Sequence, residues 1–288
     1  MQARTLIPLL VLLLVAHCDE PSNVVPERPT YRHDRPSWSN DGLTIVFRAE
    51  INGVLGMYAV DSSGQNLRLV HAGDAIGFSW SPDSRWIVFS KAGNLYRIKP
   101  NGDSIRQLTA TASDLRPAWS RDGVWIAYFH RPPEGGIFAI RSDSSSAIRI
   151  DQQGNYPSWD NLNRIVVLSW KYFSFDDRYQ NYFTAYRVDS TSSELVSSFY
   201  SWGECSFPQV RSDGKQIVFV LLGADGFPQI YLVDLTKQQI DPLTEDGGDT
   251  PSYSPDNKKI VYQRVAHGDG GLWVMDVDGT NKRRLTAP

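Results

Sequence analysis

The stretch PSWSNDG, residues 36–42, is the first of six versions of one phrase in a chain of 288 residues. The other versions are FSWSPDS from residue 78, PAWSRDG from 117, PSWDNLN from 157, PQVRSDG from 208 and PSYSPDN from 251. Successive versions begin 42, 39, 40, 51 and 43 residues apart. A repeat near forty residues with several short strands in each unit is typical of a propeller blade.

Three further strands are predicted after each phrase. An alternating apolar stretch such as LTIVFRA comes first, then one such as GMYAVD, and then a shorter one such as RQLTA. One such sheet cannot bury both of its faces, whereas six sheets stacked around an axis can. The predicted fold class is therefore all-β: a six-bladed β-propeller of four-stranded antiparallel blades.

The polar half of the phrase predicts the turn between the first two strands of each blade. Proline presets the backbone for a type I turn, aspartate bonds neighbouring amides, and the position after aspartate often needs a positive φ. Glycine or asparagine, which tolerate that φ best, fill this place in five of the six phrases. Large aromatic residues that end the first strands are expected to pack between blades: Trp38, Trp80, Trp119, Trp159 and Tyr253.

The residues ahead of the repeat predict export. Residues 5–16 are almost wholly apolar, too short to span a bilayer and typical of a secretion signal, so residues 1–18 are interpreted as a signal peptide. The stretch VAHC is similar to a bacterial lipobox, which implies that Cys18 is lipidated and holds the protein to a membrane, periplasmic or on the outer surface. An ordinary secretory signal or an uncleaved anchor is the alternative.

The predicted domains follow from these boundaries. Residues 19–35 are rich in proline and charge and predict a flexible tether. The propeller is expected over residues 36–288, with blades at about 36–77, 78–116, 117–156, 157–207, 208–250 and 251–288.

Composition argues against several classes of function. The formal net charge of -3 and the pI near 6.0 give no basic excess, so no nucleic-acid partner is expected. Of the two cysteines, Cys205 is expected to be buried rather than reactive. No G-x-S-x-G, H-E-x-x-H or C-x-x-C motif occurs, and His33, His130 and His267 are scattered. We therefore predict no catalytic residue, metal or cofactor.

Two groups of residues are candidates for binding on the face that carries the links between blades. The first is a rim at the channel mouth that could hold a cation or basic groups of a partner, or simply cap turns: His33, Asp34, Asp74, Asp114 and Asp249. The second surrounds an insertion in the fourth unit, residues 171–183, interpreted as an aromatic loop that either binds a partner or fills a gap between blades. Its residues are Tyr172, Phe173, Phe175, Asp176, Asp177, Arg178, Tyr179, Tyr182, Trp202 and Glu204.

The phrases and strands together resemble the TolB-like six-bladed propeller family over residues 36–288. TolB also carries a separate N-terminal α/β domain, for which Cys18 to Pro36 leaves no room. The resemblance implies a non-catalytic protein-binding or scaffold module of the cell envelope, where TolB-like propellers contact partners such as peptidoglycan-associated lipoprotein. The alternative is a carbohydrate-binding or carbohydrate-active protein that uses the channel mouth, since tyrosines beside Asp176 and Asp177 suit sugar stacking and acid–base work.

Overall fold

A computed structural model describes residues 33–173, 178–189, 193–201, 203, 205–223, 226–265 and 270–286. Blade 1 consists of β1 (His33–Trp38), β2 (Thr44–Ile51), β3 (Val54–Asp61) and β4 (Arg68–Ala72). Blade 2 consists of β5 (Ile76–Trp80), β6 (Ile87–Lys91), β7 (Asn94–Ile98) and β8 (Arg106–Gln107). Blade 3 consists of β9 (Asp114–Trp119), β10 (Trp125–His130), β11 (Gly136–Arg141) and β12 (Ala147–Asp151).

The second half of the ring repeats this arrangement. Blade 4 consists of β13 (Asn155–Trp159), β14 (Ile165–Phe173), β15 (Arg178–Tyr186) and β16 (Ser193–Ser201). Blade 5 consists of β17 (Ser206–Val210), β18 (Gln216–Leu222), β19 (Pro228–Asp234) and β20 (Gln239–Pro242). Blade 6 consists of β21 (Asp249–Tyr253), β22 (Lys259–Arg264), β23 (Gly271–Asp276) and β24 (Arg283–Arg284).

These strands form six antiparallel sheets of four consecutive strands each, so the predicted six-bladed all-β propeller is confirmed. Within the same residues no helix is long and apolar enough to cross a membrane. The first strand begins earlier than predicted. His33 and Asp34 pair with Ala49 and Arg48 of β2, so the tether expected to end at residue 35 ends before β1. The rest of the tether and the predicted signal lie outside the described residues.

The repeated phrase satisfies the polar groups of its own turn. In blade 3 the Ser120 hydroxyl, which is fully buried, donates to Asp122 Oδ1 at 2.6 Å and accepts from the Trp125 amide at 2.8 Å. Asp122 Oδ1 also accepts from the Val124 amide at 3.0 Å. The same serine-to-aspartate bond recurs in the phrases at Ser39, Ser81 and Ser254. These bonds therefore hold the turn together from within its own blade.

The phrase also connects neighbouring blades. The Trp119 amide donates to Ser79 Oγ at 2.9 Å, and the indole of Trp80 donates to the Ser37 carbonyl at 3.1 Å. Apolar side chains form six buried clusters, one at each interface between blades. The phrase tryptophans of blades 2, 3 and 4 belong to these clusters, as predicted.

The ring closes between blades 1 and 6 without a shared strand in the described part of the chain. Each of these two sheets consists of four consecutive strands. Phe47 and Tyr58 of blade 1 pack with Val261 and Leu272 of blade 6. The Trp38 amide donates to Ser252 Oγ at 3.3 Å, the same type of bond that joins blades 2 and 3. Closure therefore depends on side-chain packing.

Blade 4 differs from its neighbours because three of its strands have nine residues. The pairing of β14 with β15 runs without interruption from Ile165 and Tyr186 to Phe173 and Arg178. The prediction of a loop over residues 171–183 is therefore wrong: residues 171–173 and 178–183 extend the strands. Their aromatic residues have high β propensity, which favours continued pairing. Residues 174–177 lie outside the described part.

Replacing Ser120 with alanine is expected to lower the free energy of unfolding by about 1–2 kcal/mol, because the Trp125 amide loses its acceptor. Urea denaturation followed by circular dichroism measures the change. The control is Ser146→Ala in an exposed hairpin, which should stay within about 0.5 kcal/mol of the parent. Equal losses in the two variants would contradict the role given to Ser120.

Candidate functional site at the mouth of the channel

Two cavities lie along the central channel among the described residues. The larger, about 270 Å³, lies at the end that carries the phrase turns and is lined by the phrase tryptophans and serines. The smaller, about 100 Å³, lies at the opposite end, where the links between blades enter, and we call it the mouth chamber. Five phrase prolines line the mouth chamber and give its walls an apolar part: Pro36, Pro117, Pro157, Pro208 and Pro251.

Each inner strand contributes one residue with positive φ to the mouth chamber. We call these six residues the bulge ring: Arg35, Gly77, Arg116, Tyr156, Phe207 and Thr250, with φ between 49° and 66°. Each lies where the pairing of its inner strand with the next strand shifts register. A bulge re-aims side chains, and a positive φ in non-glycine residues is strained and persists only where the surroundings enforce it. The bulge ring was not identified from the sequence, although five of its members directly precede a phrase proline.

Three members of the bulge ring make one stacked group. The guanidinium carbon of Arg116 lies 3.9 Å from the centre of the Tyr156 ring, and its Nη2 donates to the Tyr156 hydroxyl at 3.1 Å. Its Nη1 donates to Asn155 Oδ1. The rings of Tyr156 and Phe207 lie 4.9 Å apart at 65°. The side chain of Arg116 is therefore held in one orientation at the mouth.

The electrostatic environment of Arg116 is unfavourable for its charge. Burial lowers the pKa of Arg116, and the positive charges of Arg35 and Arg131 lower it further, while Tyr156 opposes them. A desolvated cation of this kind is typical of functional sites.

Two residues of the predicted acidic rim share one partner. Arg48 Nη1 donates to Asp34 Oδ2 and Arg48 Nε donates to Asp74 Oδ1, both at 2.8 Å. Burial raises the pKa of Asp34, and the charges of Arg35 and Arg48 oppose that rise. These carboxylates thus connect blade 1 to the link that leads into blade 2.

Asp114 and Asp249 of the predicted rim also have partners of their own. Asp114 is fully buried, and its Oδ1 lies 2.6 Å from His130 Nδ1. Asp249 Oδ1 accepts from the Thr250 amide at 2.8 Å. His33 lies in β1, but its side chain is outside the described residues, as is the whole of His267. In the described ranges no three histidine, cysteine, aspartate or glutamate side chains are grouped so that they could hold a metal ion.

The structure describes only part of the predicted partner surface. Tyr179 contacts Trp170 edge to face, with ring centres 5.4 Å apart, and Trp170 is 45% exposed. Tyr182 is half-buried and donates to Gln180 Oε1 at 2.5 Å. The side chains of Tyr172, Phe173 and Arg178 lie outside the described part, as do all of Phe175, Asp176, Asp177, Trp202 and Glu204. Trp170, directly before the predicted insertion, and Tyr200 of β16 are exposed aromatic residues outside the predicted surface.

Cys205 is buried, as expected, and is only 4% exposed. Burial raises the pKa of its thiol well above the ordinary value. Its backbone amide donates to Asn181 Oδ1 at 3.3 Å, so it connects blade 4 to the start of blade 5.

Comparison with known proteins supports the fold. No family model matches the chain. An uncharacterized protein of Agrobacterium fabrum is 25% identical over 260 residues, which cover 80% of this chain and 84% of that protein. Among solved structures, one assigned as TolB from Agrobacterium tumefaciens has a TM-score of 0.64 at 20% identity, covering 76% of this chain and 84% of that one.

Two further solved structures are similar in the same way. TolB from Acinetobacter baumannii has a TM-score of 0.66 at 17% identity and matches 89% of this chain, which spans only 64% of that protein. An oligogalacturonate lyase in complex with manganese has a TM-score of 0.59 at 15% identity, with 85% and 89% of the two chains covered. At these identities the likeness concerns the fold, and the predicted TolB-like six-bladed propeller is confirmed.

Replacing His130 with alanine is expected to lower the free energy of unfolding by about 3 kcal/mol, because the buried Asp114 carboxylate loses its partner. Arg131→Ala, at the exposed neighbouring position, is the control and should change the unfolding free energy by less than about 0.5 kcal/mol. Adding Asp114→Asn to the His130 variant should restore part of the loss, since the unpaired charge is removed. A loss no larger than that of the control would contradict the importance of the pair.

Proposed function

We propose that this protein is an exported, lipid-anchored propeller of the bacterial envelope that binds a protein partner at its channel mouth and catalyses no reaction. The observation that carries the proposal is the bulge ring. It presents Arg116, Tyr156 and Phe207 together at one opening, and arginine and tyrosine are the residue types enriched in interface hot spots. Strained backbone of this kind concentrates at ligand-binding sites.

The size of the mouth chamber supports a partner that docks over the opening. Pockets for small molecules usually have volumes of about 300–1,000 Å³. The mouth chamber has about 100 Å³, which accommodates one side chain but not a substrate and its reacting groups. A protein surface that inserts a single side chain fits this volume.

The carboxylates near the mouth support a non-catalytic role. A general acid or base must reach the proton that it transfers. Asp34 and Asp74 are instead bonded to Arg48, and Asp114 is fully buried against His130. These groups stabilise strands and links and are poorly placed to meet a substrate.

The carbohydrate alternative has one observation in its favour. Trp170 exposes nearly half of its surface beside Tyr179, and exposed indole rings suit stacking on sugars. An oligogalacturonate lyase shares the fold. Within the mouth itself, however, Arg116 covers one face of Tyr156 and Phe207 contacts the same ring, which leaves less of it for a sugar.

Export and anchoring are supported by the sequence. The apolar run of residues 5–16 ends two residues before Cys18, at the place where a lipobox cysteine stands. The proline-rich residues that follow provide a spacer between a membrane and the first blade.

A photo-crosslinking residue, p-benzoylphenylalanine, at position 207 is expected to capture a protein partner in the native envelope, because this side chain belongs to the bulge ring. The matched control carries the same residue at position 162, in the exposed phrase turn of the neighbouring blade 4 on the opposite face. Thermal melts must show that both variants fold. Failure to obtain a crosslink specific to position 207 would contradict a partner at the mouth.

Changing Cys18 to serine is expected to move the protein from the membrane fraction to the soluble fraction and to abolish incorporation of labelled fatty acid. Fractionation and metabolic labelling measure the two effects. Unchanged membrane attachment without fatty-acid label in either protein would show that the apolar run itself is the anchor.

A further inference from the structure

Arg116 is a half-buried cation that has no carboxylate partner among the described residues. Its hydrogen bonds go to the neutral oxygens of Asn155 and Tyr156 and use two of the five N–H groups of the guanidinium. A desolvated charge without a counter-charge is costly, and proteins normally pair it. An anion that enters the mouth would supply the missing charge.

Arg35 provides a second guanidinium at the same opening, with a long ion pair as its carboxylate contact among the described residues. Within the described ranges its closest carboxylate oxygen is Asp34 Oδ1, 4.0 Å from Arg35 Nε, and Asp34 is already held by Arg48 at 2.8 Å. The side chain of Arg35 is one-third exposed and lines the mouth chamber. It lies close enough to Arg116 to lower the pKa of that group.

Gly77 allows the backbone of blade 3 to pack closely at the blade 2 position of the bulge ring. It occupies the blade 2 position of the bulge ring, between Arg35 of blade 1 and Arg116 of blade 3. A Cβ at Gly77 would approach Arg116 Cα to 3.2 Å and Pro117 Cδ to 3.3 Å, and its φ of +66° disfavours any side chain. The bulge ring therefore has two arginines at the mouth chamber and, at the blade 2 position between them, a residue without a side chain.

We infer that Arg35 and Arg116 bind a carboxylate of an acidic peptide segment of the partner, seated over Gly77 with an adjacent apolar side chain in the mouth chamber. The inference deepens the proposed function and rests on it. Guanidinium groups match the planar geometry of a carboxylate and bond it with two parallel hydrogen bonds.

The walls of the mouth favour a peptide over an acidic sugar. The phrase prolines and Phe78 line the chamber together with Ser37, Gln209 and Ser252, and proline rings offer no hydrogen-bond donor. A sugar has more hydroxyls than these three polar side chains can bond, whereas an apolar side chain packed against the prolines would gain by burial. One carboxylate beside one apolar side chain is the chemistry that this site fits.

The experiment selects a phage-displayed random heptapeptide library on the purified propeller. Because displayed peptides have no free C-terminus, a carboxylate can come only from aspartate or glutamate. On the parent protein we expect the selected peptides to be enriched in aspartate or glutamate next to a large apolar residue. On the Arg116→Gln protein this enrichment should be lost. The control is Arg85→Gln, which makes the same charge change in an exposed turn on the opposite face and should leave the enrichment intact.

The selected peptide is then measured by fluorescence anisotropy. Replacing each acid in it with the corresponding amide should weaken binding about 10- to 100-fold, and so should Arg116→Gln in the protein. Raising NaCl from 50 to 500 mM should weaken the binding of the acidic peptide more than that of the amide peptide. Because Arg116→Gln removes an unpaired buried charge, its melting temperature should equal or exceed that of the parent, which separates lost binding from lost folding.

Three results would overturn the inference. The first two are no enrichment of acidic residues and equal affinity of the acid and amide peptides. The third is that trigalacturonate displaces the labelled peptide at a lower concentration than the unlabelled peptide does. The last result would identify an acidic sugar as the ligand. Capture of the same envelope partner at position 207 in the Arg116→Gln protein would refute the carboxylate site and leave the proposed function standing. Selection of acidic peptides without any envelope crosslink would support the carboxylate site and contradict a protein partner at the mouth.

Discussion

Every blade of this protein is a sheet with apolar side chains on both faces, and neither face can be left in water. Within β2 the alternation is explicit: Ile45 and Phe47 pack toward blade 6, whereas Val46 packs toward blade 2. A single sheet of this kind is unstable alone, so each blade depends on two neighbours. The ring satisfies this requirement for six blades at once, and the channel, its two cavities and the bulge ring follow from that arrangement.

The fold could be predicted because its signals are local. The serine and aspartate of the phrase bond each other and the following amides, so a stretch of seven residues contains the whole turn. The end of the ring at which the rim residues lie could also be predicted, since antiparallel strands return each link to the same end. A loop was predicted in unit 4 because lysine, arginine and aspartate residues interrupt its sequence. The aromatic residues among them nevertheless favour strand pairing, and two strands continue into this stretch.

The site could not be predicted to the same depth because it depends on pairing across strands and on unusual backbone. Asp34 meets Arg48, and Asp114 meets His130, because the two members of each pair stand opposite one another in register. Residues that precede proline are normally extended. Here the bulge overrides that preference in five blades and turns the side chains of Arg35 and Arg116 toward the axis. Sequence pattern alone gives no sign of such an override.

The junction between blades 1 and 6 has a mechanical consequence. Since each blade is a continuous piece of chain, parting these two blades breaks no sheet in the described residues and separates only side chains and a few hydrogen bonds there. That junction is the place where the ring closes. It alone bears the entropy of holding together segments more than two hundred residues apart, while the other five junctions join blades that the chain already keeps adjacent. A pulling force transmitted through the residues ahead of β1 would act first on blade 1. The force would therefore reach the junction between blades 1 and 6 before it reached the other junctions of the ring.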